Sequence, residues 1–423
     1  MVARFSVLSL AARSLRNRRT TALLTVLSIA VSVALLIGVE RIRTEAESGF
    51  ANTISGTDLI VGARGGAINL LLYSVFRMGE ATNNISWQTY QEIARRKEVA
   101  WTIPLSLGDS HRGFRVVGTT ADYFEHYRFA RTRTLEFESG KPFADVFDAV
   151  IGAEVADALG YRVGQQVVIA HGLGSTSFAQ HDDKPFTISG ILRRTGTPVD
   201  RTVHVELAGI EAIHVGWESG TRARGATISP DDVRALDLQP KAITAFLVGL
   251  KSRLATFQLQ RDVNEYRDEA LMAIIPGVAL QQLWSLLGVV EAALRAISAF
   301  VVFAGLLGML ISILTTLNER RREMAILRAV GARPWHVFAL LVSEAGILSA
   351  AGAVAGLVLV YLAIVVVRPV IEGRFGVSVA LAAPSAYDVG ILGVVVAAAL
   401  VMGLVPAWRA YGNAVADGMT VRV

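Results

Sequence analysis

The chain is 423 residues long, 52 % hydrophobic and 18 % charged, with a mean hydropathy of +0.47. Soluble domains carry about 25 % charged residues, so this balance excludes one large soluble core and points to membrane insertion. The lack of cysteine excludes a disulfide framework and thiolate chemistry, and the net charge of +5 is too unevenly spread for a nucleic-acid surface.

Residues 1–19 hold Arg4, Arg13, Arg16, Arg18 and Arg19 and no acid, and they lead into a charge-free run over 20–39. A spanning helix needs roughly 20 apolar residues to cross about 30 Å of hydrocarbon. The run exceeds the roughly 7–15 residues of a signal-peptide core, and no small-x-small cleavage site directly follows, so it reads as an uncleaved anchor. The next 256 residues, 40–295, hold 27 basic and 30 acidic side chains. Their mixed polarity and scattered turn residues predict a folded α+β insert, with residues 51–258 as its body. Strands are expected over 58–62, 101–107 and 114–118. Ser86 is the expected N-cap of a helix to residue 96 that places Trp87, Tyr90 and Ile93 on one face. Residues 186–192 alternate, with Phe186 and Ile188 on one face until Gly190 interrupts. The two ends, 40–50 and 259–295, carry helical patterns mixed with charge. They read as stalks continuing the neighbouring spans or as short amphipathic linkers. Glu291 and Arg295 are spaced as a helical surface pair.

Three more charge-free runs follow, over 296–318, 345–367 and 389–408. The segment between the second and third runs carries Arg320, Arg321, Arg322, Arg328 and Arg333 against Glu319 and Glu323, whereas residues 368–388 show no basic excess and read as a short loop. The positive-inside rule then puts both termini, including the tail 409–423, and residues 319–334 in the cytoplasm and the large insert outside. The fold class expected is an α-helical membrane protein with four transmembrane helices, N-in/C-in, and a large α+β domain between helices 1 and 2. The spans hold almost no ionisable group, and no internal repeat marks an ion-coupled carrier. Glu344, ten residues after Pro334, reads as a structural group at headgroup level.

Within 319–334, Met324, Leu327 and Val330 lie three apart with Ile326 beside them, an apolar stripe on a short helix. Glu319 and Glu323 suit its N-terminal end, Gly331 its end and Pro334 the start of the next helix. Such a helix fits a partner groove, or the membrane surface with its arginines on headgroups. Gly352 and Gly356 form a small-xxx-small pair that lets helices approach closely, within the chain or in a dimer. His171, His181, Asp182 and Asp183 have ligand chemistry for zinc, though a solvated polar loop fits them as well, and no metal is assigned. No triad or paired-carboxylate arrangement stands out, so no catalytic residue is named.

The stretch Asn318-Glu-Arg-Arg-Arg-Glu-Met-Ala-Ile-Leu-Arg-Ala-Val-Gly-Ala-Arg-Pro334 resembles the segment after the second helix in FtsX-like permeases of the MacB/LolC/LolE superfamily of ABC transporters. Ala12-Arg-Ser-Leu-Arg-Asn-Arg-Arg-Thr20 is similar to that family's basic lead-in. Val150-Ile-Gly-Ala-Glu-Val-Ala-Asp-Ala-Leu159, Val163-Gly-Gln-Gln-Val-Val168 and Phe186-Thr-Ile-Ser-Gly-Ile-Leu192 resemble its periplasmic domain. Glu344, Gly352 and Gly356 match the third helix, and Pro406-Ala-Trp-Arg-Ala410 the end of the fourth. Two departures stand out. The tail Ala414-Val-Ala-Asp-Gly-Met419 lacks the usual Pro-x-x-Ala-Leu-Arg-like pattern, and no G-x-x-x-x-G-K-[ST] loop is present.

The resemblance implies a stand-alone permease of the bacterial inner membrane, multi-pass, with its large domain in the periplasm. It would not be an enzyme by itself and would hold no cofactor. A separate ABC ATPase dimer would bind ATP and Mg. The coupling helix on that ATPase would use Glu319, Arg320, Arg321, Arg322, Glu323, Met324, Leu327, Arg328, Val330 and Gly331. A second permease copy or paralogue, membrane lipids, and a periplasmic adaptor, lipoprotein or outer-membrane channel are the partners expected; nucleic acid is not. Mechanotransmission would serve efflux or the extraction of lipoprotein or lipid-linked cargo. The alternative is an FtsX-like signalling protein that regulates a periplasmic partner such as a cell-wall hydrolase.

Overall fold

The computed structural model describes residues 7–171, 182–216, 229–319, 321–375 and 381–412. The chain divides into two compact units. A helical unit comprises Met1–Glu45, Gly288–Pro369 and Ala380–Val423, and an outer unit comprises Ala46–Leu287 and Val370–Val379.

Four helices are long and apolar enough to cross a membrane: Arg19–Thr53, Pro276–Glu319, Pro334–Phe375 and Ala386–Gly412. Each contains one of the charge-free runs. The inward residues of the first are Ile29, Val33 and Ile37, and those of the third are Val337, Leu341, Ala345 and Leu348. Their spacings of three and four are the helical period, so each helix turns one stripe to the bundle. A separate helix, Val7–Asn17, precedes the first span and contains Arg13 and Arg16.

Two expectations need correction. The helical stretch expected over 259–295 is interrupted: a helix ends at Asn264, Leu271–Ile274 is a strand, and the long helix starts only at Pro276. The strand forms because Leu271 and Ala273 alternate with Met272 and Ile274 while pairing antiparallel with Leu59–Ala63. The loop expected over 368–388 is helical to Phe375, through Arg368 and Pro369, and the fourth long helix starts at Ala386. Proline removes only one ladder hydrogen bond, which a long helix can absorb as a kink. Glu344, expected to be a structural group, is 4 % exposed, beside Ala345 in the helical core.

The outer unit is an α/β domain on a mixed sheet. Its strand order is Leu271–Ile274, Leu59–Ala63, Ala245–Leu250, Val99–His111, Phe114–Thr119, Thr202–Glu206, Asp148–Ile151, Phe186–Leu192 and Phe137–Gly140. Two further short strands pair off this path. Most neighbours are antiparallel, but Thr202–Glu206 runs parallel to Phe114–Thr119 and Phe186–Leu192 parallel to Asp148–Ile151. Strand alternation assigns the cores: Leu59, Val61, Phe246 and Val248 face one cluster, Ile60 and Leu247 another. Phe186, Ile188, Val203 and Val205 build a third. The strands expected at 58–62, 101–107 and 114–118 and the alternation of 186–192 correspond to observed strands, and the register shifts between Ile188 and Gly190. Ser86 Oγ accepts from Thr89 N–H at 3.2 Å, and the capped helix runs Trp87–Ala94, two residues shorter than expected. His204 is wholly buried against Tyr123, and burial pushes its pKa down to about 3, so the ring is neutral.

Candidate functional site

The segment joining the second and third long helices folds into a short helix, Arg321–Ala329. Its end is a left-handed turn at Gly331, with φ of 103°. Ala332 N–H donates to Leu327 O at 2.9 Å and Gly331 N–H to Arg328 O at 3.0 Å, so two otherwise orphaned carbonyls are satisfied. Pro334 then opens the third long helix, and Arg333 N–H donates to His336 Nδ1 at 3.1 Å.

The apolar stripe read from the sequence is split. Met324 and Ala325 are buried, Met324 within the cluster that holds Leu317, Val337 and Leu341. Leu327 and Arg328 are half-buried, and Glu323 is exposed. Ile326, at 56 % exposure, and Val330, at 84 %, lie four apart and form the free apolar face. Trp335, 64 % exposed, stacks on Phe338 just beyond the turn. Periodicity finds the helix, but its neighbours decide which residues it hides. Glu319 closes the second long helix, Arg321 and Arg322 open the short one, and Arg320 lies outside the described residues.

Gly352 and Gly356 meet the first long helix of the same chain. A Cβ on Gly352 would stand 2.7 Å from Ile29 side-chain atoms, and one on Gly356 2.7 Å from Ala30 O and 2.8 Å from Val33 Cβ. The small-xxx-small face is therefore occupied within the chain. The first helix also approaches the second, where Ser32 Oγ donates to Val301 O at 3.0 Å.

Sequence reasoning missed the polar ties of the first helix. Arg41 Nη2 donates to Asp388 Oδ2 at 2.8 Å and to Tyr361 Oη at 2.9 Å, and Arg41 and Asp388 are 11 % and 3 % exposed. Asp388 also accepts from Ser385 N–H while its own N–H donates to Ser385 Oγ, a reciprocal cap at the start of the fourth long helix. The pattern Ser385-x-x-Asp388 was the available signal. On the adjoining turn, Arg43 pairs with Glu40 at 2.8 Å and Glu291 at 3.2 Å, and Arg295 pairs with Glu40 at 3.0 Å. The expected Glu291–Arg295 pair is thus one edge of a four-residue network.

Of the metal candidates, His171 ends a short strand, His181 lies outside the described residues, Asp182 is exposed, and Asp183 Oδ2 stands 3.7 Å from Lys184 Nζ. A different trio, Asp122, Glu125 and His126, places its ligand atoms within 4.8 Å of one another. Its acids are exposed, and the His126 ring stacks on Trp101.

Two family models match the chain: the MacB-like periplasmic core domain over residues 22–266 and the FtsX-like permease C-terminal domain over residues 295–414. No curated protein matches it. Among solved structures, the periplasmic region of MacB from Actinobacillus actinomycetemcomitans matches at 10 % identity and a TM-score of 0.35, covering 55 % of this chain and 94 % of that one. The extracellular domain of the noncanonic ABC-type transporter YknZ from Gram-positive bacteria matches at 11 % identity and a TM-score of 0.30, covering 51 % and 98 %.

Proposed function

This chain belongs to the MacB/FtsX-type ABC permeases, and from that premise we propose that it is the membrane subunit of a transporter working by mechanotransmission. In this reading it lies in the bacterial inner membrane, with both termini and the Arg321–Ala329 helix cytoplasmic. ATP and Mg are bound by a separate ATPase, and a second permease copy or paralogue completes the assembly. Cargo is moved or extracted on the periplasmic side.

The observation that carries this reading is the free Ile326 and Val330 face on a short helix whose opposite residue, Met324, is locked into the bundle. A partner gripping the exposed face displaces Met324 with it. Leu317 and Val337, on the two flanking helices, then feel the push, because close-packed interiors transmit strain. The helices Arg19–Thr53 and Pro276–Glu319 are the covalent routes by which that motion leaves the helical unit.

The test is a double variant, Ile326→Asp with Val330→Asp, reconstituted with the ATPase subunit. Both side chains are exposed, so insertion and stability of the isolated permease should be unchanged. Charges at a desolvated contact should abolish co-purification and coupled ATP turnover. Unchanged coupling would refute the docking role. For orientation, the cysteine-free chain takes single cysteines at Ser139 and Ala332. The first should react with an impermeant reagent from the periplasm and the second should not; reversed labelling would overturn the topology.

A further inference from the structure

The outer unit contains a cavity of about 290 Å³ lined by Tyr73, Arg77, Glu80, Asn84, Leu107 and Arg115. It shares no residue with the short helix or the metal candidates. Arg77 follows the helix Ala67–Val75 with φ of 60°, in the left-handed region that helices usually give to glycine. A long cation therefore stands where chain geometry alone favours a residue with no side chain. Arg115 reaches the same cavity from the strand Phe114–Thr119.

The two guanidinium groups are poorly compensated. Arg77 Nη1 donates to Ser74 O, and Arg115 Nη2 donates to Gly79 O at 2.9 Å, so both are held by neutral carbonyls. Among the described residues, no carboxylate lies within the 4.0 Å of an ion pair from either. Arg77 Nε is buried with no hydrogen bond of full geometry, its guanidinium lying beside the Tyr123 hydroxyl, and neither Tyr123 nor His204 belongs to the cavity wall. Arg115 is held below its ordinary pKa by burial first; the nearby Glu80 carboxylate acts against that shift and the Arg77 charge adds to it. The one acid on the lining, Glu80, is exposed. The wall thus presents two positive groups and one negative group.

We propose that this cavity binds a small carboxylate with a neighbouring N–H group, the chemistry shared by a free amino acid and the carboxy terminus of a peptide. Guanidinium forks match the planar carboxylate. One carboxylate faces the two guanidinium groups and leaves Glu80 for the N–H group, charged in a free amino acid and neutral in a peptide, whereas a phosphate dianion would crowd Glu80 with like charge. Glu80 and the Asn84 carbonyl are the acceptors for the N–H, and Tyr73 and Leu107 offer apolar surface to a small side chain. The volume lies at the lower edge of the roughly 300–1,000 Å³ typical of small-molecule pockets, which suits one residue and excludes a lipid.

The experiment is calorimetric titration of the detergent-solubilised full chain with alanine, N-acetylalanine, N-acetylalaninamide and inorganic phosphate. Alanine or N-acetylalanine should bind, and the amide should bind at least about tenfold more weakly. Tighter alanine identifies free amino acids, and tighter N-acetylalanine identifies chain termini. Arg115→Ala should weaken the acid by about tenfold or more without changing the ligand-free melting temperature. If that variant melts lower, Arg115→Lys, which keeps the charge but loses the fork, should still weaken binding. Equal binding of acid and amide, no heat from either acid at millimolar concentration, tighter binding of phosphate, or undiminished binding by both variants would overturn the proposal. No arm reads ATP turnover, so failure here leaves the coupling reading standing.

Discussion

The two units solve the problem of internal order with different chemistry. In the outer unit, polarity itself sorts the residues. Leu59 and Val61 go to one face of a strand and Ile60 to the other, and water drives both faces closed. In the helical unit, Leu24, Phe300 and Val394 are as apolar as the buried Ile29 and Val33, yet they are exposed. Lipid offers no hydrophobic drive between helices, so small residues and polar ties select the inner faces. Gly352 and Gly356 admit the first helix, and Arg41 binds its end to Asp388 and Tyr361. Apolar content therefore says which segments insert, while rare residues say how they meet.

The largest effects should come from breaking one element of each kind. Phe186→Ala should cost the outer unit about 3–5 kcal/mol, through a cavity beneath Phe147 and Ile188. Arg41→Ala should cost the helical unit about 3–5 kcal/mol, because it strands a buried carboxylate. Denaturant unfolding followed by separate probes in the two units reads both, and Arg41→Ala combined with Asp388→Ala should recover part of the loss. A mild effect of Arg41→Ala alone would mean that apolar packing, not the ion pair, holds the first helix.

Gly352→Leu comes next, at about 1–3 kcal/mol from overpacking against Ile29, whereas Gly308→Leu, where nothing lies within 4 Å of the new Cβ, should be close to neutral. The same unfolding measurement distinguishes them. Acid should act on the outer unit. His204 stays neutral in the fold down to about pH 3, while the unfolded chain takes up a proton near pH 6.5. Its contribution is complete above about pH 6.5 and falls towards pH 3 by at most about 1.4 kcal/mol per unit. His204→Phe should flatten that part of the stability–pH curve, and an unchanged slope would remove His204 as its cause. Ser86→Ala, the smallest change, should cost about 1 kcal/mol by uncapping Trp87–Ala94.

What was legible in the sequence followed the range of the interactions involved. The strand Phe186–Leu192 and the cap at Ser86 are written in neighbouring residues. The strand Leu271–Ile274 is four residues long and exists because Ile274 meets Ile60, a pairing no local pattern announces. Arg41 and Asp388 stand 347 positions apart, so each reads alone as a stray charge at the end of an apolar run. Glycine spacing disclosed that Gly352 and Gly356 would admit a helix but not which one. The short helix at 321–329 was visible by period, whereas the inward turn of Met324 depends on Val337 and Leu341 from the next helix.

The strand order of the outer unit also sets a timetable. Val99–His111 is a long strand at the middle of the sheet: its first part pairs with Ala245–Leu250 and its second with Phe114–Thr119. During synthesis the second pairing is a local hairpin, available as soon as residue 119 emerges. The first must wait until residue 250 emerges, and among the described residues Leu59–Ala63 finds strand partners only in Ala245–Leu250 and Leu271–Ile274. That hairpin can therefore form early, while the other edge of Val99–His111 stays unpaired for more than a hundred further residues. High sequence separation slows such pairing, and open edges invite association with other chains. The nascent outer unit is most vulnerable between the emergence of its first strand and of its last, the interval in which a chaperone on that side of the membrane would do the most good.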